Sequence, residues 1–202
     1  MSSFDSRINE LARLLGSPAS AVSAQQGDRV YNFHYRPSEW TEFRQSMPRL
    51  LNSLKGKGFT PIVGSFAEIC RNIFEAHSRY AALKKTEHVG NFPHKMRNEA
   101  LFKLLVESPT STDLTLDSPI VKSIENLLVE ASSGKNGILI LTDTETLHPF
   151  FRVSALEQIL QGKFTVPTVI CYPGEKGSIG DNPSFLGIYK SDGNYRSTHI
   201  YS

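Results

Sequence analysis

The spacing of hydrophobic residues changes several times along the chain, and each change marks an element. Ile8, Leu11, Leu14 and Leu15 recur at helical spacing and stop at Gly16, which predicts a short amphipathic helix. Residues 17–27 are small and polar and read as a loop. Over residues 29–35 the period is two. Tyr31, Phe33 and Tyr35 point one way and Asn32 and His34 the other, giving a strand with one aromatic face. Pro37 and Ser38 then open a helix with Trp40, Phe43, Met47, Leu50, Leu51 and Leu54 on one side. Pro48 removes a backbone donor in its middle and predicts a kink or a break. Gly56 and Gly58 end that helix, and residues 59–63 form a second short strand.

Ser65-Phe66-Ala67-Glu68 has capping-box spacing, in which the Ser and Glu side chains each satisfy a free backbone N–H at a helix start. Phe66, Ile69, Cys70, Ile73 and Phe74 follow as its apolar stripe. Residues 81–93 are polar and basic, and Met96, Leu101, Leu104 and Leu105 make another helical stripe. After a Ser/Thr/Asp/Pro-rich loop over 108–118, Ser118-Pro119 caps a helix carrying Ile120, Val121, Ile124, Leu127 and Leu128. Residues 137–141 and 166–172, separated by a helix over 149–160, are nearly continuous in apolar residues, as parallel strands buried on both faces are. Residues 185–190 and 195–201 flank Ser191-Asp192-Gly193-Asn194 and predict an antiparallel hairpin. The order α-β-α-β-α-α-α-β-α-β-β-β describes a single α/β domain over residues 1–202. It has a mixed, mostly parallel sheet, helices on both faces, a C-terminal antiparallel hairpin and a helical lobe at about 65–132.

Composition narrows the function. The chain has 202 residues, a length that suits one domain, and no stretch approaches the roughly 18 apolar residues of a membrane span. Its first residues lack the basic-then-apolar order of a secretory signal. Cys70 and Cys171 stand far apart inside apolar patterns and read as buried thiols of a cytoplasmic protein. A net charge of +2 falls short of a strongly basic nucleic-acid-binding domain.

Candidate chemistry gathers at the carboxyl ends of the two buried strands, where open α/β sheets bind ligands. The phosphate-loop pattern G-x-x-x-x-G-K-[ST] does not occur, and Gly174, Gly177 and Gly180 precede a hairpin instead of a helix. No histidine pattern suits a metal, and no Gly-x-Ser-x-Gly elbow exists, so no cofactor is expected. Thr142-Asp143 ends one strand, where an Asp can hold a magnesium ion in ATPases; without a phosphate loop Asp143 reads instead as a cap or turn former for the following segment. His148 and Arg152 share a face if a helix begins by Pro149. With Asp143 and Glu175 they define either an acid–base pair or, more in keeping with these residue types, a structural network in which Arg152 reaches Glu175. Lys84, Lys85, Lys95 and Arg97, with His88 and His94, form the most basic stretch, a solvated helix end or a phosphate contact. Tyr31, Phe33, Tyr35 and Trp40 are assigned to the core in preference to the alternative, a partner surface.

Several of these words occur together in one family. Leu139-Ile140-Leu141-Thr142-Asp143, His148-Pro149-Phe150-Phe151-Arg152, Pro167-Thr168-Val169-Ile170-Cys171-Tyr172-Pro173-Gly174-Glu175, Phe185-Leu186-Gly187 and Asn194-Tyr195-Arg196 resemble, in order and spacing, the BrxB family of BREX (bacteriophage exclusion) systems. Where many relatives carry a Thr-Gly turn this chain has Thr142-Asp143, and its loop at 176–183 also differs. The resemblance implies a role in phage defence, in which host DNA is marked by adenine methylation and replication of unmarked phage DNA is blocked. It implies no catalysis and no cofactor. It implies adaptor work beside the alkaline-phosphatase-like PglZ, the expected partner, with the methyltransferase PglX and the ATPase BrxC in a larger assembly. The candidate contact or loop-integrity residues are then His148, Arg152, Pro173, Gly174, Glu175, Tyr195 and Arg196. Two alternatives stand beside this reading: a nucleic-acid-binding subunit of the same system using Lys84, Lys85, Lys95 and Arg97, with DNA as a possible ligand, and a degenerate nucleotide-binding domain without a phosphate loop. No membrane contact is expected.

Overall fold

The computed structural model describes residues 3–15, 29–86, 94–107, 111–176, 183–186 and 197–201. Its strands are β1 (Val30–Tyr35), β2 (Thr60–Ser65), β3 (Gly137–Thr142), β4 (Thr168–Lys176), β5 (Pro183–Phe185) and β6 (Thr198–Ile200). Five of them form an all-parallel sheet in the order β2-β3-β4-β1-β6. β5 lies off that path and pairs antiparallel with the far end of β4, Gly174 opposite Phe185. The helices are α1 (Ser3–Leu15), α2 (Trp40–Gly56), α3 (Phe66–Ala76), α4 (Ser78–Thr86), α5 (His94–Val106), α6 (Pro119–Ser133) and α7 (Val153–Ile159).

Both faces of the sheet are covered, which is why β3 and β4 read as unbroken apolar runs. On one face Tyr31, Phe33, Ile138, Ile140, Val169 and Cys171 pack against Ile8 and Leu11 of α1 and Phe43, Leu50 and Leu54 of α2. On the other, Leu139, Leu141 and Ile170 meet α3, α5, α6 and α7 through Phe66, Leu105, Ile124 and Leu156. Fully burying each such side chain is worth about 1.5–3 kcal/mol.

Edge strand β2 carries Pro61. The Thr60 N–H bonds the Asn136 carbonyl, so by alternation the position that lacks an N–H points away from β3. Proline is tolerated there because no ladder bond is lost.

Four expectations are corrected. Among the described residues no C-terminal antiparallel hairpin forms: β6 adds to β1 in parallel, and Phe185 belongs to the β4–β5 ladder. The intervening residues 187–196 lie outside the described set. β4 does not end at Tyr172 but continues as strand through Pro173, Gly174 and Glu175, because β5 gives that extension a pairing partner. α7 begins at Val153, not Pro149. The Phe150 and Phe151 N–H groups close on the Leu147 carbonyl, and Arg152 is an extended N-cap at φ −92° and ψ 154°. Finally, of the kink or break expected at Pro48, the break does not occur: α2 is one helix from Trp40 to Gly56.

Candidate functional site at the carboxyl edge of the sheet

The chain leaves β1 towards the α1/α2 face and leaves β2 and β3 towards the other face. Diverging loops of this kind open the carboxyl edge of a parallel sheet to solvent and partners. Here the edge is closed by a polar knot centred on Asp143.

Asp143 follows β3 in the left-handed region, at φ 58° and ψ 40°, which asparagine and aspartate adopt more readily than other non-glycine residues. That turn aims its carboxylate sideways along the strand ends. The Ser65 hydroxyl, at the end of β2, donates to Oδ2, and the Thr142 hydroxyl donates to the same oxygen at 3.0 Å. Arg44 Nη1, from the second turn of α2, reaches Oδ1 at 3.3 Å. Thr144, one residue on, donates its hydroxyl to the Cys171 carbonyl at 2.9 Å and ties the same turn to β4.

Glu145 sits beside this knot, half-buried. Burial, with the nearby Asp143 charge, raises its pKa above the usual carboxylate range, while the backbone N–H at Glu145 and the Arg44 charge oppose the rise. One oxygen, Oε2, is buried without a hydrogen-bond partner. Tyr35, at the end of β1, is held protonated by burial and by the nearby Glu145, Cys171 and Asp143 charges. Trp40 was assigned to the core; it is instead 44% exposed, with the Arg44 guanidinium 5.3 Å from its ring centre. The three strand aromatics assigned with it are buried, and the Tyr35 ring stacks on Phe43 at 4.3 Å and 3°.

A second polar array lies under α7. Asn32 and His34, which sequence alternation placed on the non-aromatic side of β1, are both buried. Asn32 Nδ2 donates to Glu157 at 3.1 Å and to the Ser197 hydroxyl at 2.7 Å. His34 Nε2 meets His199 Nδ1 at 2.8 Å, and Arg7 Nη1 donates to the His34 carbonyl at 2.7 Å. Burial, then the neighbouring His199 and Arg7 charges, lower the His34 pKa to about 3, so it is neutral at ordinary pH. Ser197 is itself buried, which makes this array a fastening between β1, β6 and α7 rather than an exposed nucleophile.

The sequence-predicted residues divide as follows. His148 closes the turn after β3 and stacks on Phe185 at 5.1 Å, joining the β4–β5 extension to the β3 loop. Pro173 and Gly174 are buried strand positions, Pro173 opposite Tyr35. Leu186 N–H bonds the Pro173 carbonyl at 2.7 Å. Arg152 is exposed at the start of α7 and shares no helical face with His148. Glu175 stands opposite Ser184 in the ladder, with its side chain outside the described set, as are Tyr195 and Arg196 altogether. Lys84 and Lys85 lie exposed in the last turn of α4 and Lys95 in the first turn of α5, with Lys84 Nζ 5.2 Å from the Tyr80 ring. Arg97 is half-buried, and its Nε has no hydrogen-bond partner. Sequence reading missed Arg44, Glu145 and the exposure of Trp40. The available signal was position: residues opening a helix directly after a strand stand at the carboxyl edge.

The architecture is that of a doubly covered, parallel α/β protein whose strand-end loops hold side chains bonded to each other. Residues 67–200 match the family model of BREX protein BrxB, and the chain belongs to that family. It is therefore a component of BREX phage-defence systems. No curated protein and no solved structure matches it. No helix is long and apolar enough to cross a membrane among the described residues.

Proposed function

We propose that this chain is a non-catalytic adaptor of the BREX assembly that binds PglZ through the carboxyl edge of its sheet. In that role it supports host DNA methylation and phage exclusion. The observation that carries this reading is the state of the Asp143 carboxylate. It is engaged by Ser65, Thr142 and Arg44 from three other positions, so its charge is spent on fixing strand ends rather than held ready for a reacting group. Rigid loops on a fixed scaffold are what a recognition surface requires.

The test is co-purification of the tagged chain with untagged PglZ, followed by size-exclusion chromatography with light scattering. A single species of defined stoichiometry is expected. Two separate peaks at concentrations well above micromolar would remove PglZ as the direct partner.

A further inference from the structure

We infer that Trp40 and Arg44 form the anchor of the docking surface and that its occupant is an acidic segment of a protein partner. This rests on the adaptor reading and specifies the chemistry of that contact.

Trp40 is the chain's one tryptophan, and it is left 44% exposed although the same helix buries Phe43, Leu50 and Leu54. It is also held still. The Arg44 guanidinium lies over its face, 5.3 Å from the ring centre, and is itself held by Asp143. An exposed aromatic fixed before binding loses little freedom when a partner covers it, and tryptophan and arginine are the residue types that dominate protein interfaces.

Charge decides the partner's sign. Arg44 follows Trp40 by one turn on the same side of α2, and Arg36 precedes it; both are exposed. Arg44 is 57% exposed and meets Asp143 through one nitrogen, so much of its guanidinium faces outward. Arg36 is 47% exposed and meets Glu39 only at 3.5 Å. Carboxylates of a partner segment can pair with these arginines while its apolar side chains cover the indole. A nucleic acid fits less well: one aromatic with few cations is not a groove that tracks a phosphate backbone.

The test compares wild type with Trp40→Ala, Trp40→Phe, Arg44→Glu and Val129→Asp in binding to purified PglZ. Val129 is 70% exposed on α6, outside the proposed surface. Trp40→Ala and Arg44→Glu are expected to weaken binding about tenfold or more, Trp40→Phe less, and Val129→Asp not at all. Added salt should weaken wild type more than Arg44→Glu. Thermal melting of each variant separates lost contact from lost fold. If wild type binds PglZ and both Trp40→Ala and Arg44→Glu bind equally well, the anchor is refuted and the adaptor reading stands. If wild type does not bind PglZ, the adaptor reading and this inference fall together. If single-stranded or duplex oligonucleotide binds and Trp40→Ala abolishes it, the surface belongs to nucleic acid and the acidic-protein assignment is overturned.

Discussion

The Ser65 hydroxyl and the Asp143 carboxylate join the ends of β2 and β3 by a direct hydrogen bond, across 78 positions of sequence. Ser65 also caps α3 by accepting from the Glu68 N–H at 3.3 Å, so one side chain starts a helix and closes the sheet edge. Ser65→Ala should cost about 1–3 kcal/mol in urea unfolding, because it removes a cap and leaves a carboxylate oxygen short of a donor. Asp143→Ala should cost a similar amount and also forces a less tolerant residue into the left-handed region. In the double variant the two losses should fail to add, with a coupling of about 0.5–3 kcal/mol. Strict additivity would show that the contact carries no energy.

The His34–His199 pair gives the fold a pH dependence. His34 titrates at about 3 when folded and at about 6.5 when unfolded. Between those values the unfolded chain takes up a proton that the folded chain excludes, so stability falls as pH falls through that window. The groups facing the pair are Arg7 from α1, whose charge disfavours a second cation, Tyr172 from β4 and Tyr201 after β6, which flank the ring, and Glu157 of α7, which Asn32 engages. The urea midpoint of wild type should drop by more between about pH 7 and about pH 5 than that of His34→Gln. Parallel curves for the two proteins would assign the acid sensitivity to other groups.

Much of the scaffold was legible, and the reasons differ by element. The buried runs of β3 and β4 announce a doubly covered parallel sheet, since no amphipathic period survives when both faces are dry. The capping serine at the α3 start was visible as a four-residue word, though only half of it forms: Glu68 is exposed and lies near Arg71 instead of closing on Ser65. The chain terminus was misread because a turn word states that the chain reverses but not which strand it will join. β6 gains the open side of β1, where Tyr31, Asn32 and Phe33 offer three residues of parallel pairing. The site was less legible still. Asp143 was singled out at a strand end, but Arg44 and Ser65 reach it from 99 and 78 positions away, separations no local pattern encodes. Asn32 and His34 look like the wet side of a strand until Glu157 of α7 meets the one and the rings of Tyr172, His199 and Tyr201 surround the other.

The two thiols should be inert in the folded protein. Cys70 is buried, and burial pushes its pKa up to about 11. Cys171 is wholly covered; burial, then the Asp143 and Glu145 charges, hold it above the ordinary thiol range. The thiolate is the reactive form, so a maleimide or aromatic disulfide at neutral pH should label neither residue in native buffer and both in strong denaturant. Native labelling at the rate of a free thiol would contradict the packing of α3 or of β4.

Three glycines offer a graded test of how the helical layer sits on the sheet. A Cβ on Gly137, at the start of β3, would lie 1.7 Å from the Ala131 carbonyl oxygen, so the last turn of α6 can stay in place only if this position has no side chain. On Gly64 of β2 the added carbon would meet Leu127 Cδ1 at 2.5 Å, the far end of a side chain that can rotate away at some cost. On Gly134 the nearest atom is Thr60 Cγ2 at 3.3 Å, a contact relieved by a small shift. Overpacking typically costs about 1–3 kcal/mol, and more where backbone must move. The expected order of destabilisation is therefore Gly137→Ala, then Gly64→Ala, then Gly134→Ala, with Gly134→Ala within about 1 kcal/mol of wild type. Melting temperatures of the three variants decide it: a Gly137→Ala protein as stable as wild type would mean that α6 does not press its terminal carbonyl against β3.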